Sequence, residues 1–129
     1  MYAAKVLIVD DSPTMRQLIV FALQRLPGLQ ITEAGDGVEA LKQLSSEKYD
    51  LLLTDINMPM MDGLKLVRLI RNDTIYRKLP IVVITTEGSD MTRERAIATG
   101  ADEYITKPLQ TTRLIEVVRR LLDPEYQSG

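Results

Sequence analysis

The stretch Lys5-Val6-Leu7-Ile8-Val9-Asp10-Asp11-Ser12-Pro13 decides the fold. Four apolar residues run into two acids and then a serine-proline pair. A short apolar run bounded by turn signals reads as a strand buried on both faces. Ser12 then supplies a helix N-cap, with proline at the first helical position. Two further runs repeat the pattern. Leu51-Leu52-Leu53 ends in Thr54-Asp55, and Ile81-Val82-Val83-Ile84 ends in Thr85-Thr86. In a parallel sheet these polar groups all emerge at one edge. Open α/β sheets bind ligands beyond the carboxyl ends of their strands.

Strand and helix signals alternate along the whole chain. The first strand is expected near Lys5 to Asp10. The helix after it carries Met15, Leu18, Ile19, Ala22 and Leu26 at helical spacing, and Pro27-Gly28 stops it. Gln30 to Ala34 reads as the second strand. Asp36-Gly37-Val38-Glu39 has the form of a capping box and opens a helix with Val38, Leu41 and Leu44. The third strand is expected at Asp50 to Asp55. A loop from Pro59 to Gly63 follows, and Asp62 caps a helix bearing Leu66, Val67 and Ile70. The fourth strand covers Ile81 to Thr85. The fourth helix, near Ser89 to Thr99, has only Met91 and Ile97 as large apolar residues, so it reads as marginal and mobile. Glu103 to Thr106 is the fifth strand. The last helix places Leu114, Val117, Val118, Leu121 and Leu122 on one stripe.

Five such units predict a doubly wound, five-stranded parallel sheet with helices on both faces, a three-layer αβα architecture. The second and fifth strands are the more polar, which makes them the edges. The order 2-1-3-4-5, known for sheets of this kind, fits that assignment. Residues 1–122 read as one domain. Asp123 to Gly129 reads as a flexible polar tail, or as the start of a linker to a missing C-terminal output domain.

Composition narrows the chemistry. The 129 residues include no cysteine, so disulfides and thiolate chemistry are excluded. Histidine is absent as well, which removes the usual general base and the usual transition-metal ligand. Any metal must be held by oxygen, as Mg²⁺ or Ca²⁺ would be. A net charge of −2 gives no basic surface for nucleic acid or membrane. The opening Met1-Tyr2-Ala3-Ala4-Lys5 lacks the apolar core of a signal peptide, so a cytoplasmic location is expected.

Asp10, Asp11 and Asp55 fall at the proposed switch point of the sheet. Three packed carboxylates repel, which costs stability unless a cation relieves it. Mg²⁺ suits such a corner because it takes a few carboxylates, waters and phosphate oxygens. An aspartate can act as a nucleophile and form an acyl phosphate. Lys107 follows the fifth strand at the same edge, where a cation could offset phosphoryl charge. Taken singly, Asp11 reads equally well as a helix cap and Lys107 as a solvated lysine. Asp50, Asp102 and Glu103 start strands and so belong to the opposite edge.

Val9-Asp10-Asp11-Ser12, Thr54-Asp55-Ile56-Asn57-Met58-Pro59-Met60-Met61-Asp62-Gly63, Ile84-Thr85 and Ile105-Thr106-Lys107-Pro108 together resemble the motifs of a response-regulator receiver domain. The resemblance runs from Lys5 to about Leu122 and is closest to the single-domain chemotaxis type. It implies a flavodoxin-like fold and a role in two-component phosphorelay. By that resemblance Asp55 accepts a phosphoryl group from a sensor histidine kinase or phosphotransfer protein. Asp10, Asp11 and Asp55 bind Mg²⁺, with the backbone carbonyl of Asn57. Lys107 pairs with the phosphoryl group, Thr85 moves to hydrogen-bond it, and Tyr104 turns inward behind Thr85. The Lys107–Pro108 peptide is cis. Thr86 and Glu87 modulate the site, and Thr86 departs from the small residue usual there. The branched side chain would narrow access to the acceptor.

The resemblance also implies a binding module rather than a turnover enzyme, although the domain catalyses its own phosphorylation and dephosphorylation. The surface of the fourth helix, fifth strand and fifth helix would bind an effector protein, around Arg93, Arg95, Tyr104 and Arg113. The domain would be a monomer or a weak phosphorylation-dependent dimer. Two other classes share parts of the pattern. A haloacid-dehalogenase phosphatase also uses a strand-end aspartate, but wants a second aspartate where this chain has Asn57. A flavodoxin-like carrier would have its flavin phosphate repelled by the acids.

Overall fold

A computed structural model describes residues 3–125. Met1-Tyr2 and the last four residues of the expected tail lie outside them. Five strands alternate with five helices: β1 Ala4–Val9, α1 Pro13–Leu23, β2 Leu29–Ala34, α2 Gly37–Ser46, β3 Leu51–Thr54, α3 Gly63–Arg71, β4 Ile81–Thr85, α4 Asp90–Thr99, β5 Glu103–Thr106 and α5 Thr111–Leu121. All pairings are parallel, in the order β2-β1-β3-β4-β5. The central strands β1, β3 and β4 are buried almost throughout, whereas β2 and β5 have exposed positions.

Side chains alternate across the sheet and build two cores. Leu7, Val9, Leu52, Ile81, Val83 and Tyr104 face α2, α3 and α4. Val6, Ile8, Leu51, Leu53, Val82, Ile84 and Ile105 face α1 and α5. Each helix starts at a cap legible in the chain, except α5. Ser12 accepts from Met15 N, Asp36 from Glu39 N, Asp62 from Lys65 N and Ser89 from Thr92 N. Gln110 before α5 makes no such bond.

Several apolar assignments need correction. In α1, Leu18 is exposed beside Phe21, and Leu23 takes its place in the core. Ile19, Ala22, Leu23 and Leu26 form the i, i+3, i+4, i+7 stripe, and Leu18 lies 100° off it. The helix proper ends at Leu23, and tighter turns continue to Leu26 before Gly28 reverses the chain at φ 95°. In α2 the buried positions are Gly37, Ala40 and Leu44, while Val38 faces solvent. Met91 and Ile97 of α4 are both exposed, and only Ala96 is buried. In α5 the stripe stops at Leu121, and Leu122 is a partly buried C-cap.

Candidate functional site

Strand register brings the acids together. Val9 pairs with Thr54, so the next residues, Asp10 and Asp55, leave the sheet side by side. The ladder continues one step beyond the strands, with Asp10 N donating to Ala34 O and Asp55 N to Val9 O. Asp10 and Asp55 are buried, and Asp11 is exposed at the rim. One carboxylate oxygen from each lies within 4.8 Å of the others.

Lys107 reaches this corner from the end of β5. Its Nζ lies 3.2 Å from Asp10 Oδ2 and 3.1 Å from Asp55 Oδ2. Burial pushes the ammonium's pKa down, but hydrogen bonding and attraction from Asp55 and Asp10 outweigh that, and the net shift is upward. A backbone bond from Lys107 N to Thr85 O fixes the base of the side chain. The Lys107–Pro108 peptide is cis.

The remaining valences of the acids are partly used. Asp10 Oδ1 accepts from Ser12 N at 2.9 Å. Asp55 Oδ1 accepts from Ile56 N at 2.7 Å and from Asn57 N at 3.4 Å. The Asp11 carboxylate makes no hydrogen bond or ion pair among the described residues. An all-oxygen donor set, with acids in excess of the one lysine, fits a small hard divalent cation. Asn57 is exposed beside Asp55, so its carbonyl belongs to the same loop.

Thr85 is fully buried, and its Oγ1 accepts from Glu87 N at 3.3 Å. Tyr104 is 3% exposed, and its hydroxyl donates to Glu87 O. In this structure the ring lies inward while the Thr85 hydroxyl accepts from Glu87 N. Burial raises the Tyr104 pKa, and the nearby Glu87 charge adds to this. Thr86 and Glu87 are both exposed at the rim. A groove of about 350 Å³ runs over β5 beside Arg93, Tyr104 and Arg113. Arg95 is exposed on α4, and Arg113 is paired with Glu103 at 3.0 Å.

Two residues support the site in ways that the chain alone did not indicate. Arg16 donates from its NH1 nitrogen to Asp10 O at 2.6 Å and from Nε to Glu33 at 3.0 Å, pinning the acid-bearing loop to β2. Gly63 opens α3 against the acceptor. A Cβ there would lie 1.9 Å from Asp55 O, so no other residue fits without moving Asp55. Only packing across distant segments reveals either role.

The pattern of the response regulator receiver domain matches residues 6–119, and the chain belongs to that family. Such domains are signalling modules rather than turnover enzymes, which sets aside the phosphatase and flavin-carrier readings. Within the family the chain is similar to single-domain chemotaxis proteins. It is 41% identical to chemotaxis protein CheY1 of Helicobacter pylori over 92% of this chain and 96% of that one. Among solved structures, the Vibrio cholerae chemotaxis response regulator CheY4 superposes with a TM-score of 0.84 at 36% identity, covering 92% of this chain and 98% of the other. The receiver domain of the Pseudomonas aeruginosa sensor histidine kinase PA1611, described with a magnesium ion coordinated in its active site cleft, gives 0.84 at 28% identity, covering 93% and 98%.

Proposed function

We propose that this receiver takes a phosphoryl group from a phosphohistidine onto Asp55 and thereby changes which effector protein it binds. The observation that carries the reading is Lys107 Nζ bridging Asp10 and Asp55 in a corner where acids outnumber cations. The Asp55 carboxylate attacks phosphorus as the phosphorus–nitrogen bond breaks, and the imidazole leaves with that electron pair. An acyl phosphate results. Asp10, Asp11, Asp55 and the Asn57 carbonyl would hold Mg²⁺, which supplies charge neutralisation for the phosphoryl oxygens. Lys107 keeps its proton and attracts one of those oxygens. The Thr85 hydroxyl leaves Glu87 N and donates to another. Thr86 and Glu87, exposed at the rim, govern access to the acyl phosphate and its lifetime.

Phosphorylation adds about −1.5 to −2 charges and three acceptor oxygens. An equilibrium shifts only through contacts that differ between its two states. Here the Thr85 bond is the differential contact. The groove by Arg93, Tyr104 and Arg113 is the surface that reads it, and an effector protein is its occupant. The protein acts in the cytoplasm, and residues 1–122 are the working unit. Among the described residues no helix is long and apolar enough to cross a membrane.

Incubation with a small phosphodonor and Mg²⁺, followed by intact mass measurement, tests the transfer. Wild type is expected to gain one phosphoryl group, and chelation of Mg²⁺ to block the gain. Undiminished labelling of Asp55→Asn would reassign the acceptor.

A further inference from the structure

Glu87 is the meeting point of three hydrogen bonds. Its N–H donates to Thr85 Oγ1, its carbonyl accepts from the Tyr104 hydroxyl, and its carboxylate accepts from Thr92 Oγ1 at 3.3 Å. Thr92 stands in the first turn of α4. Its own hydroxyl accepts from Ser89 Oγ at 2.8 Å, and its backbone N–H donates to the same Ser89 oxygen at 3.1 Å. Ser89 thus donates to Thr92 and Thr92 to the accepting Glu87 carboxylate, a chain of hydrogen bonds from the helix cap to the switch loop.

The rest of α4 is held very differently. At its far end Gly100 O accepts from Arg71 Nε at 2.9 Å, and the Arg71 guanidinium also bonds Arg77 O, Leu79 O and Asp102. Gly100 itself takes φ 130° and packs on the Arg71 side chain. Along the helix only Ala96 is buried. So α4 is anchored at its C-terminus and lightly packed along its length. Its N-terminus meets the switch loop through the Thr92–Glu87 bond. A helix pinned at one end follows whatever holds the other.

We propose that Thr92 is a positioning residue that passes the state of Thr85 to α4 through the Glu87 carboxylate. The inference rests on the phosphoryl-transfer reading above. When Thr85 gives up Glu87 N for a phosphoryl oxygen, the Glu87 segment loses one of its holds, and the Thr92 hydroxyl carries the change to the first turn of α4. The Tyr104 hydroxyl remains on Glu87 O, so the two arms of the junction separate.

The test is a titration of the full chain with beryllofluoride and Mg²⁺, a phosphoryl mimic, followed by amide chemical shifts. Thr92→Val removes the hydroxyl, while its backbone N–H can still donate to the Ser89 cap. In wild type, amides from Asp90 to Arg95 are expected to move together with Thr85. In Thr92→Val the Thr85 response and the rate of labelling by a small phosphodonor stay unchanged. The equilibrium read at α4 shifts roughly twofold, the scale an exposed hydrogen bond supports. Thr92→Ser restores the wild-type response, which a purely structural role of the side-chain bulk would not produce. An α4 response identical in Thr92→Val and wild type overturns the proposal. Failure of wild type to bind the mimic at all would instead count against the phosphoryl-transfer reading.

Discussion

The two ends of the sheet hold two buried ionic groupings, and they are balanced in opposite ways. At the amino-terminal edge Arg71 meets Asp102 at 2.9 Å and donates to three backbone carbonyls as well. Asp102 also accepts from Ile81 N at 2.7 Å, so the pair is enclosed by partners. At the carboxyl-terminal edge Asp10 and Asp55 share one lysine, and the third carboxylate, Asp11, stands beside them at the exposed rim. The first grouping closes on itself and ties α3, the loop before β4 and the turn before β5 together. The second keeps an excess of negative charge that a cation and a phosphoryl group can use. A satisfied network stabilises, and an unbalanced one is available for chemistry.

That contrast can be broken most forcefully at Arg71. Replacing it with methionine removes the cation paired with the largely buried Asp102 and is expected to cost about 3–5 kcal/mol. Urea unfolding measures this, and a loss under 1 kcal/mol would show that the lower network is not structural. Next comes Gly63→Ala. The added carbon meets the Asp55 carbonyl, so a loss of about 1–3 kcal/mol is expected, together with slower phosphodonor labelling. Unchanged labelling in a folded variant would mean that α3 does not position the acceptor.

The upper grouping should respond with the opposite sign. Asp11→Asn breaks no contact among the described residues and removes one repelling charge. A gain of about 0.5–1 kcal/mol is expected at low ionic strength without divalent cation, shrinking as salt screens the site. Destabilisation by this change would remove the claim of excess negative charge. The smallest expected effect is on alkaline stability. The folded-state pKa of Lys107 lies above the ordinary 10.5, so its contribution is fully present below that pH. It is lost as pH rises through the folded-state value. The stability gap between wild type and Lys107→Met should stay level up to about 10.5 and narrow beyond it. A gap that narrows well below that pH would contradict the assigned ion pairs.

The same contrast explains how far the chain could be read. Asp10, Asp55 and Thr85 end uninterrupted apolar runs, so a local signal places them at one edge. Polarity of β2 and β5 marks the sheet edges just as locally. Arg71 and Asp102 are 31 residues apart and follow no local rule, so the lower network was invisible. Gly63 looked like a turn residue, yet its role is a backbone approach across the loop. The exposure of Leu18 and burial of Leu23 turn on the phase of one helical stripe, which composition leaves open. Tyr104 is buried in this structure with its hydroxyl on Glu87 O, a partner 17 residues away that no local pattern indicates. Motif resemblance assigns such a ring a place in the family's switch, and only packing tells which way it points.

Trapping the acyl phosphate tests the central claim most directly. Wild-type protein labelled with a small phosphodonor and Mg²⁺ is reduced with borohydride, which converts an aspartyl phosphate to homoserine, and the digest is sequenced by mass spectrometry. Homoserine at position 55, and at neither 10 nor 11, is the expected result. Homoserine elsewhere, or none in protein that has gained a phosphoryl group, would contradict Asp55 as the acceptor.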